Sequence, residues 1–140
     1  MFKRLLVLVD FSPHSEDYFQ ECIELAGKLG AEIIAFNVVD INTINSIARH
    51  TGKRESEVAV ELEEDGWKYL YMFEDMAKNK GVKTLVHQEE GVFESKITQA
   101  VSAYKIDLVC LRKNLNLGLK SSLKMLEHLL EEIDSPVLLL

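Results

Sequence analysis

The feature that most constrains the fold is a regular alternation of short apolar runs with longer segments of helical periodicity. The first run, at residues 5–9, is continuously apolar, which is typical of a parallel strand buried on both faces. Similar runs predict four more strands, at residues 33–39, 82–87, 107–111 and 136–140. The chain is therefore predicted to be α/β, a doubly wound five-stranded parallel sheet with helices on both faces.

Caps and periodicity predict where the helices lie. Ser12 before Pro13 predicts the start of the first helix, and Gly30 predicts its end. Further helices are predicted at residues 55–79 and 93–104, whereas residues 40–53 are predicted to be a loop with one helical turn. The last helix is predicted to bury a stripe of residues at helical spacing: Leu119, Leu123, Leu126, Leu130 and Ile133.

The composition indicates one globular domain, residues 1–140, with no nucleic-acid or membrane partner. The net charge of −7 argues against both, since each would favour clustered Lys and Arg. Neither a signal peptide nor a membrane-spanning run is visible. Cys22 and Cys110 lie in apolar runs outside any C-x-x-C pair, so they are expected to be buried free thiols of a cytoplasmic protein.

Several positions, in this order and at this spacing, resemble the universal stress protein family over nearly the whole chain. The first strand ends in an aspartate before a short polar turn, and the second ends in a valine pair. A glycine lies six residues before Ile97, a spacing that matches the family's third-helix pattern, and a Pro-Val-Leu sequence opens the last strand. These residues are Asp10, Val38, Val39, Gly91, Ile97, Ala100, Asp107, Pro136, Val137 and Leu138.

The resemblance implies the adenine nucleotide alpha hydrolase-like fold, with strand order 3-2-1-4-5. It also implies a homodimer made by pairing the last strand, at Val137, Leu138 and Leu139, with its copy. An uncharged edge strand of this kind invites pairing unless something covers it. The alternative is a monomer whose last helix covers the strand.

ATP-binding members of that family carry a glycine signature after the fourth strand, and this chain lacks it. Glycines there let backbone N–H groups approach the phosphates. Aligned from Asp107, the three glycine positions hold Arg112, Leu115 and Met125, and the hydroxyl position holds Leu126. Aligned backward from Pro136, the four positions hold Cys110, Lys113, Leu123 and Lys124. Gly118 is the one glycine in the segment, near a glycine common in the family outside the formal signature.

Three functional hypotheses follow. The first is a non-enzymatic stress-response protein, a homodimer with other protein partners, that binds ATP weakly or not at all. The alternative is a nucleotide (ATP or AMP) switch with a rewired phosphate site, for which very slow ATP hydrolysis stays open; a small-molecule enzyme of the same fold is a third, weaker hypothesis. The candidate residues of the switch are Asp10, Val38, Arg112, Gly118, Ser121 and Ser122. No catalytic pair is identified, and the four histidines have no metal-ligand spacing.

An acidic run at residues 61–65 is expected to be a solvated face of the long helix, with a basic partner as the alternative. Trp67 and Tyr71 follow it. They are expected to pack against residues 40–53, with an interaction patch as the alternative.

Overall fold

The computed structural model describes residues 2–10, 12, 15–113 and 122–140. Strands and helices alternate along these residues as expected, with one additional helix. In chain order the elements are β1 (Arg4–Leu8), α1 (Ser15–Leu29), β2 (Glu32–Asp40), α2 (Ile41–Thr51), α3 (Glu55–Asn79), β3 (Thr84–Gly91), α4 (Phe93–Ala103), β4 (Leu108–Leu111), α5 (Ser122–Glu132) and β5 (Val137–Leu139).

The five strands form one parallel sheet in the order β3-β2-β1-β4-β5, which confirms the predicted fold. β1 lies in the centre, and its alternate residues face opposite helix layers. Leu5 and Val7 pack against α1 and α3, whereas Leu6 and Leu8 pack against α4 and α5. The continuous apolar run of β1 is thus explained by burial on both faces. None of the described helices is long and apolar enough to cross a membrane.

Cys22 and Cys110 are free and fully buried in the core between α1 and the sheet. A hydrogen bond between the two thiols, together with burial, raises the pKa of Cys22 far above its usual value. Cys22 is therefore a protonated thiol at neutral pH, and it contributes to packing.

Residues 40–53 were predicted to be a loop with one turn, and this prediction is wrong. Residues Ile41–Thr51 form three turns of helix, α2. The Asp40 side chain caps its first turn, and Gly52 ends it in the left-handed conformation at φ 73°. Its apolar face is narrow, because only Ile44 and Ala48 are buried, so the periodicity was too weak to stand out.

The third strand lies further along the chain than predicted, at Thr84–Gly91 rather than residues 82–87. It pairs with β2 over its whole length, up to Asp40 opposite Gly91. β3 is an edge strand, and most of its side chains are half-exposed, so residues 88–90 are polar although they are paired. That polarity indicated a strand end where there is none.

The predicted stripe of the last helix is only partly correct: Ile133 is buried and Leu126 packs partly buried against the core, but two other members face solvent. Met125, Leu129 and Ile133 face the sheet, one helical turn apart. Leu123 is 74% exposed and Leu130 is 53% exposed, while Leu119 lies outside the described residues. Leucines on two faces of α5 satisfy the same spacing, and only contact with the sheet decides between the faces.

Trp67 and Tyr71 do not belong to the apolar cluster that α2 makes with α3. That cluster uses Val58 and its neighbours nearer the start of α3. Trp67 packs instead at the margin of the core shared by α1 and α3, and its ring stacks on that of Tyr71. The predicted packing against residues 40–53 is therefore replaced by an aromatic pair on α3.

Gly66 lets the middle of α3 approach the sheet closely. Beside it, Asn37 Nδ2 donates to Gln88 Oε1 at 2.7 Å, and Gln88 Nε2 donates to the Glu63 carbonyl oxygen at 3.1 Å. A Cβ atom at Gly66 would overlap both amide side chains. The glycine thus makes room for a polar link between β2, β3 and α3.

We expect Gly66→Ala to destabilise the protein by about 1–3 kcal/mol, because the amides must move or lose their hydrogen bond. Gly27→Ala is the matched control, since Gly27 also lies within a helix and its added Cβ would be 3.8 Å from the Val82 side chain, an ordinary contact. That control should be neutral or stabilising by up to about 1 kcal/mol. Urea unfolding measures both, and equal effects of the two substitutions would contradict the close approach at Gly66.

Candidate functional site

The carboxyl ends of β1 and β4 meet at the point where the strand order reverses. The chain adds β2 and β3 on one side of β1, then returns to place β4 on the other side. Ligands of doubly wound sheets bind at such a reversal, beyond the carboxyl ends of the strands. Asp10 follows β1 by two residues, and Arg112 directly follows β4.

The structure joins these two predicted site residues in an ion pair. Arg112 Nε donates to Asp10 Oδ1 at 3.1 Å and to Oδ2 at 3.0 Å, and Arg112 Nη2 donates to Oδ2 at 2.6 Å. The side chains are only 14% exposed for Arg112 and 24% exposed for Asp10. The hydrogen bond to Asp10 raises the pKa of Arg112 above its already high usual value. Both oxygens of Asp10 are thus occupied by hydrogen bonds from one guanidinium.

Tyr18 of α1 ties the two strand ends together beneath this pair. Its buried hydroxyl lies 2.9 Å from the Leu8 carbonyl oxygen and 3.0 Å from that of Cys110, to which it donates a shared hydrogen bond. Burial raises the pKa of Tyr18 well above its usual value, so the hydroxyl keeps its proton. Tyr18 therefore holds together the backbone of the two strand ends that carry Asp10 and Arg112.

The turn between β1 and α1 is held by Ser15. The described part of α1 begins at this residue, and Pro13, where the first helical position was predicted, lies outside the described residues. Ser15 Oγ accepts from the Ser12 N–H at 2.7 Å and donates to the Asp10 carbonyl oxygen at 3.0 Å. A side chain three residues after Ser12 that accepts from the Ser12 N–H is one half of a capping box, and this contact supports Ser12 as the N-cap, as predicted.

Asp40, the last residue of β2, lies at the edge of the site and was not predicted from the sequence. Its carboxylate is 7% exposed; Oδ2 accepts from Thr43 N and Thr43 Oγ1 at 3.0 Å each, and Oδ1 accepts from Phe93 N at 3.2 Å. One side chain therefore caps the starts of both α2 and α4 at the end of β2. An aspartate three residues before a threonine is a helix N-cap signal, and it could have identified α2.

The remaining predicted residues are placed as follows. Val38 is half-buried near the end of β2 and packs on the α4 and α5 side of the sheet. Gly118 and Ser121 lie outside the described residues, and Ser122 is the first residue of α5, with its side chain undescribed. In the described part of the chain, no group of three or more His, Cys, Asp or Glu side chains could hold a metal ion.

A small cavity of about 230 Å³ adjoins Arg112 on the β5 side. Its walls are mostly apolar side chains of β4, α5 and β5. They are Leu111, Arg112, Lys113, Leu123, Met125, Leu126 and Leu139. Arg112 therefore lies between the ligand edge of the sheet and the exposed side of β5.

Comparison with known proteins decides the family. A family model described as "Universal stress protein family" matches residues 1–139. This chain belongs to the universal stress protein family. Universal stress protein MJ0531 of Methanocaldococcus jannaschii is 27% identical over 141 residues, covering 99% of this chain and 81% of that protein.

Solved structures agree on the fold. The hypothetical protein MJ0577 superposes with a TM-score of 0.77 at 20% identity, covering 100% of this chain and 96% of that one. Universal stress protein UspA of Lactobacillus plantarum has a TM-score of 0.77 at 15% identity, with 99% and 97% covered. A universal stress protein in complex with cAMP shares this fold, with a TM-score of 0.65 at 17% identity. The universal stress protein of Archaeoglobus fulgidus in complex with dAMP also shares it, with a TM-score of 0.66 at 13% identity. Both matches cover 99% of this chain and 97% of the other chain.

We expect Asp40→Ala to lower the free energy of unfolding by about 2–3 kcal/mol, because two helix starts lose their acceptor. Asp40→Asn should cost less, about 1 kcal/mol, since the amide oxygen still accepts on one side. Urea unfolding followed by circular dichroism measures both variants. A stability of Asp40→Ala equal to that of the unaltered protein would show that these bonds do not hold α2 and α4.

Proposed function

We propose that this universal stress protein is a non-enzymatic, cytoplasmic homodimer that binds ATP weakly or not at all. The observation that carries the proposal is the Asp10–Arg112 ion pair at the ligand edge of the sheet. A nucleotide that used Asp10 would have to compete with a guanidinium already held by bonds of 2.6–3.1 Å. Charge-assisted, paired bonds of this kind are among the strongest side-chain contacts in proteins.

The residue types near the pair support weak phosphate binding. In one alignment Arg112 stands where nucleotide-binding members have the first glycine, and in the other that position is Cys110. In the first alignment the Arg112 side chain fills space that a phosphate needs to reach backbone N–H groups, whereas the Cys110 side chain is buried in the core. No glycine loop is recovered in either alignment.

The absence of an enzymatic role is supported by the chemistry of the pair. Arg112 engages both oxygens of Asp10, and the nearby hydroxyl of Tyr18 is buried between two carbonyl oxygens. Neither group is arranged as a nucleophile with an adjacent base.

The second candidate is a nucleotide switch, and the cAMP and dAMP complexes of two universal stress proteins favour it. Here Arg112 would leave Asp10 and bind a phosphate, while Asp10 and Val38 would contact the nucleoside. Guanidinium groups bind phosphate and carboxylate in the same paired geometry, so Arg112 could replace its two bonds to Asp10 with two bonds to a phosphate.

Nucleotide-dependent thermal shift distinguishes the two candidates. With 1 mM ATP, AMP or cAMP we expect no change in Tm, because Arg112 already occupies Asp10. A site with a Kd one hundredth of the nucleotide concentration would add about 2.7 kcal/mol, which is several degrees of Tm. A shift of that size would contradict the proposal and support the switch.

Two variants test the reason for the weak binding. Arg112→Gly releases Asp10 and opens the crevice, so it should bind AMP more tightly than the unaltered protein does. Lys113→Gly is the matched control, because it removes a neighbouring cation and keeps the N–H that donates to the Leu140 carbonyl oxygen. Equal AMP binding by both variants would show that the ion pair is not what excludes the nucleotide.

The homodimer is supported by the free edge of β5. Pro136 and Leu140 direct their backbone groups towards β4, since the Pro136 oxygen accepts from Val109 N and Leu140 N donates to the Leu111 oxygen. In a parallel ladder the intervening residues Val137 and Leu139 then direct theirs outward. These groups can pair with a second copy of the same strand.

Exposed leucines beside that edge also support a dimer. Leu139 is 43% exposed on β5, and Leu123 and Leu130 of α5 are exposed more strongly. A second copy would cover this apolar side and the strand edge together. Burial of such a combined surface is what permanent homodimer interfaces usually provide.

We expect Leu139→Lys to convert the dimer into a folded monomer, because a lysine on an exposed edge strand opposes pairing with a second copy. Leu85→Lys is the matched control: Leu85 is 51% exposed on β3, the opposite edge strand. Native mass spectrometry of the unaltered protein and both variants measures the oligomeric state. A monomeric unaltered protein, or a dimer lost equally in both variants, would contradict an interface at β5.

A further inference from the structure

The negative charge of this protein is concentrated in one of its two helix layers. α1 and α3 together carry twelve acidic and three basic residues, whereas α4 and α5 together carry four acidic and two basic residues. The first layer therefore has a net charge of −9, more negative than the whole chain at −7. The molecule presents one strongly acidic face and one nearly neutral face.

Within the acidic face, α3 carries an aromatic pair flanked by carboxylates, which we call the α3 stripe. Trp67 and Tyr71 stack with ring centroids 5.6 Å apart and planes 23° apart. Side chains three and four residues away on a helix are neighbours, so acidic residues adjoin both rings. The stripe consists of Glu63, Glu64, Trp67, Tyr71, Glu74 and Asp75.

The stripe is accessible, although Lys78 lies one helical turn beyond Glu74 and Asp75 and lines the same pocket. Tyr71 is 53% exposed, although a tyrosine ring of this size usually gains stability from burial. Among the described residues, none of the four carboxylates lies within 4.0 Å of a basic group. Glu61, one turn earlier on the same helix, is by contrast paired with Lys53 at 2.9 Å.

We propose that the α3 stripe is a docking surface for an arginine-bearing segment of a partner protein. The face of an aromatic ring attracts cations, and guanidinium groups stack on such rings while they bind carboxylates in pairs. An exposed ring between unpaired carboxylates supplies both contacts to one arginine. The negative field of the whole α1–α3 layer adds attraction at longer range and speeds association.

Arginine is favoured over lysine by the planar geometry of the stripe. A lysine ammonium also makes cation–π contacts and ion pairs, but it is more strongly hydrated, cannot lie flat on a ring and cannot bind a carboxylate through a planar fork, so it should bind less tightly. The surface is also separate from the Asp10–Arg112 pair, because it lies on a helix face rather than at the carboxyl edge of the sheet. The two sites can therefore be tested independently.

The test uses two peptides of equal charge, Arg-Gly-Arg-Gly-Arg and Lys-Gly-Lys-Gly-Lys, both with blocked ends. Trp67 is the only tryptophan in the chain, so its fluorescence reports binding at the stripe directly. We expect the arginine peptide to change Trp67 emission and to bind about three to five times more tightly than the lysine peptide. Equal affinities for the two peptides would overturn the proposal.

Two substitutions at one position isolate the aromatic ring. Tyr71→Phe keeps the ring and should bind the arginine peptide as the unaltered protein does. Tyr71→Leu keeps an apolar side chain without a ring and should lose about three- to fivefold in affinity by isothermal titration calorimetry. Equal affinities of the Phe and Leu variants would overturn the role of the ring.

A charge-matched pair of variants separates the stripe from general attraction by an acidic protein. Glu63→Gln with Glu64→Gln should weaken binding of the arginine peptide. Glu131→Gln with Glu132→Gln removes the same charge from exposed positions on α5, in the other helix layer, and should leave affinity unchanged. Equal losses in the two double variants would show that only net charge matters and would overturn the proposal.

Discussion

Burial of the central strands on both faces is the constraint on which the rest of this structure depends. β1 presents Leu5 and Val7 to one helix layer and Leu6 and Leu8 to the other, so neither face can be left to solvent. Two helix layers require crossovers between parallel strands, and these are right-handed in nearly all proteins. Because the strands are parallel, their carboxyl ends, with Asp10, Asp40 and Arg112, lie at one edge of the sheet.

The polar groups at that edge are satisfied mainly by one another. Tyr18 bonds the ends of β1 and β4, Asp40 caps two helices, and Asp10 pairs with Arg112. Within the described residues, every buried side-chain nitrogen or oxygen has a hydrogen-bond partner. An edge saturated in this way is rigid, and any ligand must offer better bonds than those it displaces. This balance connects the fold to the proposal that the protein acts through protein contacts.

Predictions from the sequence failed where a hydrophobic pattern fitted two helix faces, or where an element buried too few apolar residues to show a clear pattern. The leucines of α5 fit two helix faces, and contact of Met125 and Leu129 with the sheet selected one. α2 has a narrow apolar face, and β3 is polar because it is an edge strand. The strong patterns succeeded, since the five parallel strands and the long α3 helix follow from extended apolar runs and periodicity, whereas the strand order was implied by the family resemblance. At the site, Asp10 and Arg112 were both identified from the sequence, but their pairing was not.

The sequence by itself determined the α/β class, the number of parallel strands and the family resemblance, because each follows from the local order of residues. Tertiary structure alone decided that Arg112 reaches Asp10, that Asp40 serves two helices, and that Trp67 and Tyr71 form a half-exposed pair. Asp10 and Arg112 are 102 residues apart in the chain, and only the folded sheet places their strands side by side. Contacts of this kind depend on side-chain direction at strand ends and helix faces, which periodicity does not specify.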